Sequence, residues 1–378
     1  MDLTPIIDIS HRYGADPDWV LAGGGNTSQK TTEILAIKAS GHALADIDAN
    51  GFVSMDRSKL AAIWQAEYPE DTKERETRAL ADLMAARLPG DTDKRPSVET
   101  LMHDLFPQRL VLHTHPSLVN GLTCSKEGLS AAQALFGDSL VWIPVVNPGY
   151  VLARTIRDSL SEYKETTGRP AAILIMENHG LVVAADTVED IDRLSNEVVE
   201  KLRSRVVAEP DLGPADVNPE AVSAWQGVLR TALKAQGVEE PHVSFGAPRE
   251  LLPYMADNNA FAPLADLGYT PDHIVYCGRY PLFVAGAAAK ESAAGEDLVS
   301  EYVRRHGSAP KTVAVSGLGV FGIGSRKKAA DAAVTLFLDL LKILRYAEGF
   351  GGAKRMAEDK IEFIVNWEVE QYRSKVST

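Results

Sequence analysis

The chain has 378 residues, 45% of them hydrophobic, and a formal net charge of −13. That is enough apolar material for full cores, with two domains the natural expectation at this length. The acidic balance argues against nucleic acid or an anionic membrane as partner, and two cysteines, Cys124 and Cys277, exclude a disulfide framework or a cysteine-based zinc site.

Met1-Asp2-Leu3-Thr4-Pro5 lacks a basic segment followed by an apolar one. No run of about 18 apolar residues follows, so no transmembrane helix is expected and the cytoplasm is the expected compartment. Gly23-Gly24-Gly25-Asn26-Thr27-Ser28 follows Val20-Leu21-Ala22. Its glycines let the backbone approach an anion, its N–H groups can form a concavity, and Asn26 and Thr27 add donors. Ile34 to Lys38 reads as a strand, and Thr72 to Arg87, rich in Glu, Arg, Ala and Leu, as a helix. A second helix is expected over Ser97 to Leu105, just after Pro96. Glu99 would then sit in its first turn, where a carboxylate suits the helix dipole.

Arg109 to His113 reads as a strand that runs into Thr114-His115-Pro116. Residues two apart in a strand share a face, so His113 and His115 project together into one site, half of a tetrahedral zinc shell. A third candidate, His179, lies where the buried strand 171–176 runs out into Glu177-Asn178-His179-Gly180. A three-histidine metal site with an acid close by is the reading. Cys124, just past the histidine strand and without a visible basic partner, reads as core packing.

Thr187 to Val207 carries Val188, Ile191, Leu194, Val198 and Leu202 at helical spacing, with Thr187 and Asp190 as a variant of a cap. Residues 208–219 hold three prolines and a glycine and read as a linker. It would divide a first α/β domain, 1–207, from a smaller C-terminal α/β domain, 220–378, whose role the sequence leaves open. In the second part strands are expected at His273 to Tyr276 and Thr312 to Val315, and helices at Ala329 to Tyr346 and Ala353 to Tyr372. The glycine run Ser316 to Gly324 follows an apolar strand as dinucleotide loops do. The acidic residue expected about 20 positions further on is missing, so nucleotide binding is not expected. No internal repeat or low-complexity segment is visible.

Glu99, His113, His115 and His179, preceded by Gly23 to Ser28, resemble the class II aldolase/adducin family in the expected order over roughly residues 8 to 208. The resemblance implies a three-layer α/β/α catalytic domain. It implies a metal-dependent aldolase that cleaves or forms a carbon–carbon bond in a ketose phosphate or related sugar through an enediolate. It assigns His113, His115 and His179 to Zn²⁺, with Mn²⁺ or another divalent ion an alternative, and gives Glu99 the acid/base role. Gly25, Asn26, Thr27, Ser40, Gly41 and Ser97 would hold the sugar phosphate. One departure is that the fuculose-type enzymes carry two serines before the glutamate, where this chain has Ser97-Val98. Asn147 to Ala153 matches another family segment, and its Tyr150 would either reach an active site across a subunit boundary or be a buried structural tyrosine. Ser316 to Gly324 and Asn366 to Glu370 resemble the aldolase part of long rhamnulose-phosphate aldolase/dehydrogenase proteins. A dehydrogenase domain follows in those proteins, so a hydride-transfer activity borrowed from them would not apply here. A homo-oligomer, tetrameric by preference, is implied. A 4-epimerase or decarboxylase on the same metal site, or a non-catalytic adducin-like binding protein, are the competing readings; the retained histidines and Glu99 count against the last.

Overall fold

The computed structural model describes residues 1–369. Seven strands form a first sheet: β1 (Asn26–Lys30), β2 (Ile34–Lys38), β3 (Phe52–Asp56), β4 (Leu110–Thr114), β5 (Val141–Ile143), β6 (Ile173–Met176) and β7 (Gly180–Ala185). Their spatial order is β3-β2-β1-β4-β7-β6-β5, antiparallel except for the β5–β6 edge pair. Strand alternation distributes the core to two sides. Leu110, Leu112, Ile173, Ile175, Leu181 and Val183 pack on residues of the helices Thr4–Gly14, Ser117–Thr123, Gly128–Phe136 and Val188–Arg203. Val111, Val141, Leu174, Met176 and Val182 pack on Met102, Phe106, Leu152 and Ile156, from the other side. This is the three-layer α/β/α arrangement expected for the first part.

Local signals place several elements as read. Thr187 Oγ1 accepts from Asp190 N at 3.1 Å and caps Val188–Arg203. The helix Thr72–Ala85 is capped by Asp71, whose carboxylate accepts from Glu74 N. The helix expected from Ser97 begins only at Thr100. Residues 97–99 form the turn before it, with Thr100 N bonded to Ser97 O at 3.1 Å.

A second sheet holds β8 (His242–Gly246), β9 (Leu282–Val284), β10 (Thr312–Val315) and β11 (Gly319–Gly324) in the order β8-β11-β10-β9. Contrary to the reading from sequence, there is an internal repeat. β8 to β11 reproduce the order, direction and register of β4 to β7, with one parallel edge pair and two antiparallel pairs. Both copies join their central hairpin through three residues, the middle one at positive φ: Asn178 at 55° and Gly317 at 76°. Both turns make the same bonds: Glu177 N to Ile143 O in one copy, Ser316 N to Val284 O in the other, each 2.9 Å. The repeat is one of backbone order, direction, register and turn geometry, which residue matching does not read. The glycine run is thus a hairpin and a strand, and Gly322 and Gly324 lie where a Cβ would strike Ala330 and Ala329 of the helix Lys327–Ala347.

Two other expectations in this part change. His273–Cys277 is one π turn and not a strand. All five residues are buried, Thr270 Oγ1 meets the His273 N–H at 3.4 Å, and Lys311 Nζ takes the Val275 carbonyl at 2.5 Å, so no strand partner is needed. The last described helix of any length is Glu358–Asn366, shorter than Ala353 to Tyr372. Lys354 N and Met356 N are drawn to Cys124 O and Gly268 O instead, and 370–372 lie outside the described residues. Residues 208–218 carry no helix or strand but are tied down, by Ala215 N to Ala247 O at 2.8 Å and by Asp211–Arg249. Lys327–Ala347 lies against both β11 and Ser117–Thr123, and one apolar cluster joins Cys124 to Leu340, Leu341 and Leu344. No helix among the described residues is long and apolar enough to cross a membrane.

Candidate metal centre

β4 delivers the first two histidines. His113 is on the same face as Val111, and His115 follows two residues on, just past the strand end. His179 arrives from the β6–β7 turn, whose Asn178 takes the left-handed conformation and donates through Nδ2 to Tyr269 O at 2.9 Å. Gly180 lets that turn close on β4, since a Cβ there would stand 2.5 Å from Thr114 O.

The three imidazoles converge. One ligand atom from each lies within 4.8 Å of the others, and Nε2 of His113 and His115 are 3.0 Å apart. Their outer nitrogens are engaged: His113 Nδ1 donates to Leu181 O at 2.9 Å, and His115 Nδ1 meets Asp272 Oδ2 at 2.6 Å. A carbonyl or carboxylate oxygen can only accept, so Nδ1 of each carries a proton and the inner Nε2 of the neutral ring presents a lone pair. Two lone pairs facing each other at 3.0 Å call for a cation or a proton between them. Three converging imidazole nitrogens with a carboxylate beside them are a donor set suited to a divalent transition ion.

That carboxylate is Glu99. Its Oε1 lies 3.2 Å from His179 Nε2 and 3.4 Å from His113 Nε2. Its Oε2 accepts from Asn26 Nδ2 at 2.6 Å, and Asn26 Nδ2 also reaches Ser97 Oγ at 3.2 Å. Asn26 is itself fixed through Oδ1, 2.5 Å from His103 Nε2, and His103 Nδ1 is 2.7 Å from Ser28 Oγ. A chain of contacts Ser28–His103–Asn26 therefore aims Glu99. Burial alone would raise the Glu99 pKa, but His113 and His179 overcome it and hold the carboxyl well below its ordinary value. His103 is pushed well below its ordinary value, first by burial, and stays neutral. Burial likewise lowers His115 to about 4 against the opposing pull of Asp272, whereas for His113 burial, the largest single influence, is overcome by the charge and hydrogen bond of Glu99 together with Leu181 O and Asp272, and the pKa is raised.

The histidines open on a cleft lined by Gly23, Gly25, Asn26, Ser40, Gly41 and Ser97, so all but one of the residues expected at a substrate are on its wall. Thr27 is the exception. It pairs with Leu112 in the ladder, faces the opposite side of the sheet, and its Oγ1 is 2.7 Å from Ser10 Oγ. Strand alternation from Asn26 was the signal that could have shown this. Tyr150 is buried against Tyr68 and Trp64, with centroids 4.8 and 5.8 Å away, and is not on the cleft wall. Cys124 is core, as read, and burial raises its thiol to about 12. Residues that sequence reasoning missed are His103, Arg95 and Asp272. Lys38 and Arg95 bring two cationic side chains to the cleft, and Arg95 pairs with Glu368 at 3.0 Å. Pro271, Trp367 and Val369 close the far wall from the C-terminal part. In the repeat, Phe245, Ala247 and Leu318 occupy the positions of His113, His115 and His179. Among the described residues the only three-ligand cluster is the one in the first sheet.

Residues 6–203 match the family model described as Class II Aldolase and Adducin N-terminal domain. A curated protein of Bacillus subtilis (strain 168), named uncharacterized oxidoreductase YuxG, is 23% identical over 406 residues, covering 96% of this chain and 57% of that protein. The chain thus spans little more than half the length of this relative. The N-terminal class II aldolase domain of a conserved protein from Thermoplasma acidophilum is 26% identical at a TM-score of 0.46, covering 54% of this chain and 93% of that one. An L-fuculose 1-phosphate aldolase is 17% identical at a TM-score of 0.36, over 54% of this chain and 86% of that one.

Proposed function

The chain belongs to the class II aldolase and adducin family, and from that premise we propose that it is a metal-dependent aldolase acting on a ketose phosphate or related sugar. The observation that carries this reading is the convergence of His113, His115 and His179 on the Glu99 carboxylate in one cleft. A non-catalytic binding protein would have no use for three converging imidazoles and an oriented buried acid. We assign the three histidines to one divalent ion, zinc by preference, with positions left open on the cleft side. When bound, such an ion supplies Lewis-acid stabilisation of the negative charge that develops on substrate oxygens as the carbon–carbon bond breaks.

The other roles fall to the chain itself. Glu99, held as a carboxylate and aimed by Asn26, moves the proton at the reacting carbon. Gly25, Asn26, Ser40, Gly41 and Ser97 bind the phosphate end of the substrate, and Lys38 and Arg95 offset the hydroxyl lost at Val98. Thr27 has no such role, because its hydroxyl is on the other face. Assembly as a homo-oligomer, a tetramer by preference, is part of the proposal.

The test is elemental analysis of protein purified without chelator, followed by a panel of ketose 1-phosphates with coupled detection of released dihydroxyacetone phosphate. About one equivalent of metal and turnover of at least one substrate are expected. Metal retained undiminished in a His113→Ala, His115→Ala double variant overturns the ligand assignment. Metal without any aldol cleavage across the panel overturns the reaction.

A further inference from the structure

Asp272 lies outside the 6–203 segment that matches the family model, yet it touches the metal centre. It is 5% exposed, and its Oδ2 is 2.6 Å from Nδ1 of His115. Gly24 leaves room for this contact, since a Cβ there would come within 3.2 Å of Asp272 Oδ2 and 3.3 Å of His115 Nδ1. A carboxylate on the outer nitrogen of a ligating histidine fixes its tautomer and ring direction and makes the inner nitrogen more basic. His113 receives its outer acceptor, Leu181 O, from the first sheet itself. His115 sits beyond the end of β4, where that sheet has no ladder carbonyl to offer, and takes its acceptor from the second half of the chain.

Asp339, buried on Lys327–Ala347, lies near both ends of the His115–Asp272 contact. Ser117, two residues after His115, donates to Asp339 on Lys327–Ala347. The other Asp339 oxygen is 3.7 Å from Nε2 of His273, the neighbour of Asp272. Thr270 Oγ1, 2.7 Å from His273 Nδ1, and Thr312 Oγ1, donating to Cys277 O at 3.0 Å, hold the π turn that follows. The repeat adds the second argument. With Phe245, Ala247 and Leu318 at the ligand positions, the second half keeps the architecture of a metal domain but not its ligands. What it contributes to chemistry is the part that reaches the first site: Asp272 and the Pro271, Trp367 and Val369 wall.

Resting on the metal-centre reading above, we propose that the second half of the chain completes the metal site of the first in cis, with Asp272 as the positioning residue that sets the tautomer and direction of His115. Three histidines and Glu99 without Asp272 make a weaker and differently shaped site.

The experiment compares full-length wild type, Asp272→Ala and Asp272→Asn. Zinc affinity is read by competition with a chromophoric chelator, site geometry by the visible absorption of the Co²⁺-loaded protein, and folding by circular dichroism. Asp272→Ala is expected to weaken zinc on the order of 10–100-fold and to alter the Co²⁺ bands. Asp272→Asn keeps an acceptor oxygen without the charge; it is expected to fall between and to restore most of the Co²⁺ spectrum. It also carries the test should the alanine variant fail to fold. Wild-type zinc affinity and unchanged Co²⁺ bands in a folded variant overturn this inference and leave the metal centre standing. A wild-type chain that takes up neither ion overturns both.

Discussion

Gly180 and Gly319 are the same position in the two copies of the hairpin, and they separate packing from metal binding. A Cβ at Gly180 would lie 2.5 Å from Thr114 O and 2.8 Å from Cδ2 of His115; at Gly319 it would lie 2.5 Å from Gly246 O. Ordinary contact begins at 3.4 Å, so in Gly180→Ala the hairpin and the end of β4 must part by about 0.9 Å, a displacement of the size that costs about 10²-fold in a preorganised site. Overpacking of this kind costs about 1–3 kcal/mol in either variant. Gly319→Ala is the harsher change for the fold, because its φ of 156° adds backbone strain to the overlap. Yet only Gly180→Ala moves His115 against His179. Differential scanning fluorimetry should show both metal-free variants melting below wild type, Gly319→Ala by at least as much. Chelator competition should show zinc weakened on the order of 10–100-fold in Gly180→Ala and unchanged in Gly319→Ala. Equal weakening in both would mean that metal affinity follows global stability and that the hairpin does not set the spacing of the site. No weakening in Gly180→Ala would show that the histidine geometry tolerates the shift, and the reasoning fails.

Glu99→Gln should keep zinc and lose about 10²–10⁴-fold in turnover, seen in kcat more than in KM; near-wild-type kcat would remove the proton-transfer role. Burial lowers Lys30 to about 7, against about 10.4 in the unfolded chain, so the unfolded state binds more protons between these values and Lys30 adds stability as pH rises from 7 towards 10. Urea midpoints of wild type should therefore gain on those of Lys30→Met across that window, and parallel curves would contradict the burial argument. Neither Cys124 nor Cys277 should react with iodoacetamide in the native state, because burial raises both thiols; rapid labelling before unfolding would refute it. Light scattering at micromolar concentration should report a tetramer, and a monomer would count against the proposed assembly.

What the sequence made legible is what depends on local periodicity. The period of two in a strand put His113 and His115 side by side, and the end of an apolar run placed His179 in a turn beside them. The same rule, applied to Asn26-Thr27-Ser28, sends Thr27 away from the cleft, a consequence that the glycine-rich character of the loop conceals. The π turn at His273 reads as a strand because a short buried apolar run carries no period that separates strand from helix. His103 and Asp272 were out of reach for another reason. Their partners, Asn26 and His115, are 77 and 157 residues away, and nothing local marks them as part of a site. The repeat was hidden because backbone bonds, such as Ser316 N to Val284 O, preserve a fold without preserving side chains.

The long separation of His115 and Asp272 also imposes an order on biosynthesis. Polymerised at about 5–20 residues per second, the 157 residues between them take roughly 8–30 s to appear. Throughout that interval the helix Ser117–Thr123, buried along its whole length in the finished protein, has no Lys327–Ala347 to lie against. The nascent chain thus presents Ser117 before its buried partner Asp339 has been made, while Leu118, Val119 and Leu122 already have the first sheet to pack on. His115 therefore waits for its outer carboxylate until the second half of the chain has begun to appear, and the histidine cluster takes its final shape only then.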